Sequence, residues 1–168
     1  KNDVKYKKAY FNRYKNIWHH GDYAERRNTD GFIIHGRSDT TLNPGGVRLG
    51  TAEIYSEVEK FKEIKEALVV GQSWDNDIRI ILFLVMSNGY SLNDTLLSRI
   101  KTQIRTNASP RHVPKKVIVV KDIPRTKSGK IVELAVKSTI EGNIVKNKEA
   151  LANPQVLQQY KNLKQLSY

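Results

Sequence analysis

The run Ile78–Met86 (IRIILFLVM) constrains the fold of this chain more than any other stretch. Only Arg79 interrupts it. A strand with one wet face alternates apolar and polar residues; this run does not, so it predicts a central strand covered on both faces. It is also far too short to cross a bilayer, which takes roughly 20 apolar residues, and no other run comes closer. An integral membrane protein is therefore not expected.

The flanking patterns supply the cover. Ile54, Val58 and Phe61 recur at helical intervals with Glu53, Glu57 and Lys60 on the opposite face, and Thr51 stands where a helix N-cap would be. Glu53 suits the positive end of that helix. Ile64–Gly71 contains Ala67-Leu68-Val69-Val70 and reads as a strand. Ser87-Asn88-Gly89 ends the central strand. Leu92, Leu96, Ile100 and Ile104 then mark an amphipathic helix opened by Asn93 or Asp94, which Pro110 and Pro114 prevent from continuing. Val117–Val120 is a short strand and Val132–Ile140 a helix that Gly142 can stop. A final helix after Asn153-Pro154 would bring Val156, Leu157 and Tyr160 together. The order helix, strand, strand, helix, strand, helix predicts an α+β domain from about residue 40 to 145, with a central β-sheet of about three strands flanked by helices.

Ahead of that domain, residues 1–16 are basic and aromatic without clear periodicity. Ile17–Arg27 reads as a short strand, a turn at Gly21-Asp22 and a second strand. Asn28-Thr29-Asp30-Gly31 is turn chemistry, and Phe32–His35 reads as the returning strand of a hairpin. Asn43-Pro44-Gly45-Gly46 forms another turn-rich stretch.

Charge narrows the partners. The chain carries 29 Lys+Arg against 17 Asp+Glu, a net +12, and residues 99–137 hold eleven bases against two acids. Such a block suits a polyanion or a solvated basic face. A nucleic-acid-binding module is the reading from another class, but the block lacks Phe, Tyr and Trp and so offers no base-stacking platform. A purely structural or partner-binding α+β domain is a third. With no cysteine, disulfides, thiolate metal sites and cysteine nucleophiles are excluded, and a reducing, cytoplasmic setting is expected. No secretory leader pattern is present.

Three loops could carry chemistry. In Trp18-His19-His20-Gly21-Asp22 the aspartate could accept hydrogen bonds from vicinal hydroxyls, although Gly-Asp is also an ordinary turn. His19, His20 and His35 do not suggest a metal: adjacent residues on a strand point to opposite faces, and nothing nearby completes a ligand set. The second loop is Gly36-Arg37-Ser38-Asp39, followed by Asn43-Pro44-Gly45-Gly46-Val47-Arg48. Arg37 could pair with a phosphate or a carboxylate, and the two glycines let a ligand approach the backbone. The third is Pro124-Arg125-Thr126-Lys127-Ser128-Gly129-Lys130. Its three cations could neutralise charge on a phosphate. It is not a Walker A loop, because the earlier glycine of that pattern is missing. A solvated basic loop is the plainer alternative.

Taken in order, the three loops resemble the late motifs of the adenylate-forming superfamily of acyl-CoA synthetases, peptide-synthetase adenylation domains and luciferases. Gly36–Glu59, Arg111-His112-Val113-Pro114 and Asn153-Pro154 leading to Tyr160 are most similar to its acetyl- and acetoacetyl-CoA synthetase branch, with the acetoacetyl enzymes favoured.

The resemblance implies that residues 1–36 end a large N-terminal adenylating domain, as a β-hairpin remnant. Residues 37–41 are then a hinge, and 42–168 a small mobile C-terminal domain with a helical extension. Lys1 in first place, with Met86 the only methionine, fits a piece of a longer enzyme. The reaction implied is ATP-dependent: a carboxylate takes the AMP moiety with release of pyrophosphate, and CoA then displaces AMP. By resemblance Lys130 is the catalytic lysine of adenylation, Asp22 and Arg37 bind the nucleotide, and Asp39 is the hinge. Gly45, Gly46, Arg48 and Arg105 meet CoA. ATP, CoA and a short-chain carboxylate are the expected partners, acetoacetate above acetate. Mg2+ is expected mainly on the N-terminal domain, and no metal site, nucleic acid or membrane on this chain. Where acetyl-CoA synthetases often have two hinge acids, this chain has Asp39-Thr40, leaving Asp39 as the only candidate.

Overall fold

In the computed structural model residues 3–167 are described; residues 1, 2 and 168, the outermost positions of the two expected domains, lie outside them. A helix α1 (Asp3–Tyr10) precedes the hairpin β1 (Asp22–Arg26) and β2 (Phe32–Arg37). The small domain follows as α2 (Ala52–Val58), β3 (Ile64–Trp74), β4 (Asp77–Met86), α3 (Asp94–Asn107), β5 (Lys116–Val119) and α4 (Glu133–Ile140). This is the expected order.

Strand β4 is central in a three-stranded mixed sheet, antiparallel to β3 and parallel to β5. The β3–β4 connection is the two-residue turn Asp75-Asn76, with φ of 51° and 57°. Such left-handed pairs match the twist of a hairpin, and Asn and Asp adopt them readily. Side-chain alternation along β4 sends Ile80, Leu82 and Leu84 to one layer, where they meet Ile54 and Val58 of α2 and Leu96, Ile100 and Ile104 of α3. Ile81, Phe83 and Val85 enter the other layer with Val136 of α4 and with Tyr160 and Leu166 near the C-terminus. The uninterrupted apolar run is explained by these two cores. Asn93 caps α3 by accepting the Leu96 amide at 2.8 Å.

Several expectations are corrected. Residues 17–20 are not a strand: they have no ladder partner, and the His19 amide instead donates to Tyr10 O at 2.8 Å. Strand alternation therefore says nothing about where His19 and His20 point. The helix α1, without amphipathic periodicity, is accompanied by an aromatic cluster in which Trp18 stacks on Tyr10 at 4.1 Å. Thr51 holds the N-cap position of α2 but its side chain caps nothing. Phe61 lies past the end of α2, and Glu57, expected on the wet face, is buried. It accepts from Lys60 at 2.7 Å, Gln103 at 2.8 Å and Asn107 at 2.9 Å, tying α2 to α3. The last helix is a 3-10 segment, Pro154–Tyr160, and not α-helical. The expected trio is split: Val156 and Tyr160 pack into the core over β4, and Leu157 into a smaller one with Ala135 and Leu151.

Phe83 is fully buried, and its ring meets Tyr160 edge-on at 4.9 Å. Phe83→Ala is expected to cost about 3–5 kcal/mol, read as a lower urea midpoint of unfolding.

Candidate functional site

The hairpin register brings the first group of candidates together. Asp22 opposes Arg37 across β1 and β2, next to a bulge between Tyr23 and Ala24. Beyond β2, the Ser38 amide and hydroxyl both donate to Gly21 O, at 2.7 and 2.9 Å, so the chain leaving the hairpin is fastened to the Gly21-Asp22 turn. Arg37 forks onto Asp39, Nε to Oδ1 and Nη2 to Oδ2, both at 2.8 Å. This bidentate pair holds the Asp39 carboxyl below its ordinary range and raises the guanidinium above its own. The Asp22 carboxylate does not point freely outward as expected; it meets His20 Nδ1. His35 turns to Glu53 at 3.0 Å and Glu25 at 3.2 Å, and those two contacts raise its pKa.

A small pocket is lined by Asp39, Thr40, Thr41, Gly71, Glu133 and Lys137. Glu133 was not singled out from the sequence, where it reads only as an acid in the first turn of a helix. Burial raises its carboxyl above the ordinary range, although Tyr55 donates to it at 2.5 Å; the Tyr55 hydroxyl also accepts the Val69 amide at 3.0 Å. Glu133 thus links α4, which starts three residues after Lys130, to β3 and to the charges of Asp39 and Arg37.

Lys130 ends its loop exposed, with no side-chain partner among the described residues. Gly129 takes a left-handed φ of 84°, and the Thr126 amide donates to Lys130 O at 2.8 Å to close the turn. Arg125 is committed elsewhere, to Glu66 at 2.7 Å and Gly129 O at 3.0 Å. No hydrogen bond or ion pair joins Lys130 to Asp22, Arg37 or Asp39 among the described residues.

Gly45 and Gly46 form a 3-10 turn with φ of 59° and 74°. The Gly45 amide donates to both Asp77 oxygens, at 2.8 and 2.9 Å, which fixes the turn against the β3–β4 hairpin. A Cβ on Gly46 would meet nothing within 4 Å, so its backbone lies open; one on Gly45 would approach Arg111 Nη1 at 3.7 Å. Arg111 is a further cation beside this turn that sequence reasoning assigned no role. Arg48 lies over the Tyr23 ring at 5.0 Å and bonds its hydroxyl. Together with His35, Glu53 and His112 these two line a cavity of about 280 Å3. Arg105 is exposed in the last turn of α3 without a partner among the described residues. The structure therefore joins Asp22, Arg37 and Asp39, keeps Gly45, Gly46 and Arg48 in one loop, and leaves Lys130 and Arg105 as unpaired cations.

This fold is that of the small domain of AMP-binding enzymes: residues 53–130 match the model of the AMP-binding enzyme C-terminal domain. Its curated relatives are acetoacetyl-CoA synthetases. It is 57% identical over 97% of its length to the acetoacetyl-coenzyme A synthetase of Rhizobium meliloti, covering 25% of that protein, and 48% identical over 98% of its length to the acetoacetyl-CoA synthetase of Xenopus tropicalis, again covering 25%. The solved acetoacetyl-CoA synthetase from Streptomyces lividans superposes with a TM-score of 0.85 at 40% identity, over 94% of this chain and 24% of that one. The chain thus spans about a quarter of the length of the relatives it matches.

The carboxyls of Asp39 and Glu133 are shifted in opposite directions. Asp39, with its pKa lowered, contributes stability above the ordinary value of 3.8 that is lost as pH falls through its folded value. Asp39→Asn should therefore be less stable than the parent at neutral pH, with the gap closing in acid. Glu133, with its pKa raised, favours the fold only while protonated. Glu133→Gln should be more stable than the parent at neutral pH, and that advantage should vanish below the ordinary value of 4.5. Denaturant unfolding across this pH range reads both.

Proposed function

We propose that this chain is the C-terminal part of an acid–thiol ligase that forms acetoacetyl-CoA from acetoacetate, ATP and CoA through an acyl-adenylate, releasing AMP and pyrophosphate in a cytoplasmic setting. The observation that carries this reading is the likeness of nearly the whole chain to acetoacetyl-CoA synthetases, at 57% identity over 163 residues.

The site supports a division of labour. Asp22 and Arg37, side by side on the hairpin, suit the ribose hydroxyls and the phosphate of the nucleotide. Residues 37–41 form the hinge between the large domain, ending at 36, and the mobile domain 42–168, with Asp39 as its pivot. Arg37 then serves both nucleotide and hinge, and releasing its fork on Asp39 would free the guanidinium for phosphate. Lys130 brings a compact positive charge on a flexible stem to the oxygens on which charge develops in adenylation. Its lack of a partner among the described residues is what such a role needs, since an existing ion pair would have to be broken first. After rotation of the small domain, the open backbone at Gly45-Gly46 would let the pantetheine arm pass, with Arg48 and Arg105 near the CoA phosphates.

Among the described residues no group of three or more His, Asp or Glu is placed to hold a metal ion. Mg2+ would travel with ATP, held mainly by the large domain. Among the described residues no helix is long and apolar enough to cross a membrane.

In the intact ligase, Lys130→Ala is expected to abolish most acetoacetate-dependent ATP–pyrophosphate exchange while largely sparing thioester formation from supplied acetoacetyl-adenylate. Equal losses in both half-reactions would remove Lys130 from its assigned role. The chain alone should show no ligase turnover.

A further inference from the structure

The bonds inside the Lys130 loop close its turn but do not aim it. Thr126 and Lys130 bond each other, Lys130 N–H donating to Thr126 Oγ1 at 3.1 Å, and Thr126 Oγ1 lies 2.9 Å from Ser128 Oγ. Its placement relative to the sheet comes from the Arg125–Glu66 ion pair to β3 and from the segment after α4. Ala152 N–H donates to Arg125 O at 2.8 Å and Lys127 N–H to Ala150 O at 3.3 Å, with Thr126 bridged to Leu151 between them. Leu151 is buried with Ala135 and Leu157, so this clasp is itself rooted in a small core under α4.

One side chain ties the clasp together. Asn153 Oδ1 accepts the Arg125 amide at 2.8 Å, while its Nδ2 donates to Asp122 Oδ2 and to Ile123 O, both at 2.9 Å. A carboxamide is suited to this place because it offers an acceptor and two donors from one planar group. An aspartate could not donate and would set a second carboxylate against Asp122. The same entry to the loop is held again by Gln159 and Tyr160, which donate to Asp122 O at 2.7 and 2.9 Å. All of these residues lie beyond residue 130, where the match to the family's domain model ends.

We infer that Asn153 is a positioning residue for Lys130: its carboxamide fixes residues 122–125 and thereby sets where the lysine at the end of the loop stands when the small domain closes for adenylation. This role rests on the adenylate-forming reading above. Small displacements of a reacting group are costly in rate, because binding no longer delivers the near-attack geometry.

The test compares Asn153→Ala, Lys130→Ala and the double variant in the intact ligase. Asn153→Ala is expected to slow acetoacetate-dependent ATP–pyrophosphate exchange by about tenfold or more while leaving thioester formation from supplied adenylate within about twofold. It should add nothing to the loss caused by Lys130→Ala. Hydrogen exchange of amides 125–130 should quicken in Asn153→Ala while that of β3 and β4 stays unchanged, which a general loss of folding would not produce. Equal loss in both half-reactions, a loss that adds to that of Lys130→Ala, or unchanged loop exchange would overturn the inference. If Lys130→Ala itself spares adenylation, the assignment of Lys130 fails instead, and loop exchange still decides whether Asn153 holds the loop.

Discussion

Covering both faces of β4 is the condition on which the other elements depend. A strand with Ile81, Leu82, Phe83 and Leu84 fully buried cannot lie at a surface, so the chain must supply a layer on each side. One layer is made by α2 and α3, which follow the apolar periodicity of their sequences. The other needs α4 and the C-terminal segment, because α4 alone is short and Tyr160 and Leu166 complete the core against Phe83. The C-terminal segment is thus part of the core, and its return path carries it past the Lys130 loop.

The same packing sorts the basic surplus. Arg99 pairs with Glu63 and Arg125 with Glu66, so part of the eleven-base stretch is spent inside the small domain. Arg37 is held by Asp39. Lys130 and Arg105 have no such partners among the described residues and stand exposed. These pairs are already cancelled in the net charge of +12, so the surplus open to a polyanion rests on cations without an acidic partner among the described residues, Lys130 and Arg105 being two of them.

Much of the fold was legible from sequence. Helical spacing in Leu96, Ile100 and Ile104, the uninterrupted run of β4, and the turn chemistry at Asn28–Gly31 are local signals, and each formed the element it predicts. Failures came where a local signal needed a distant partner. Residues 17–20 look extended but have no strand to pair with. Glu57 looks like a wet-face acid until Gln103 and Asn107, on another helix, make its burial tolerable.

The candidate site divides in the same way. The sequence by itself determined which loops could carry chemistry, because lysine, arginine and glycine at set spacings state their chemical capacity without reference to the fold. Only the tertiary structure decided which of those residues are already engaged: Arg37 by Asp39, Arg125 by Glu66, Asp22 by His20. It also decided that Glu133 shares a pocket with Asp39 and that Asn153 grips the entry to the Lys130 loop, 28 residues from the Arg125 amide it accepts. Hydrogen bonds between residues so far apart leave no periodic trace in a sequence. Their partners are chosen by packing around β4, after the local patterns have been satisfied.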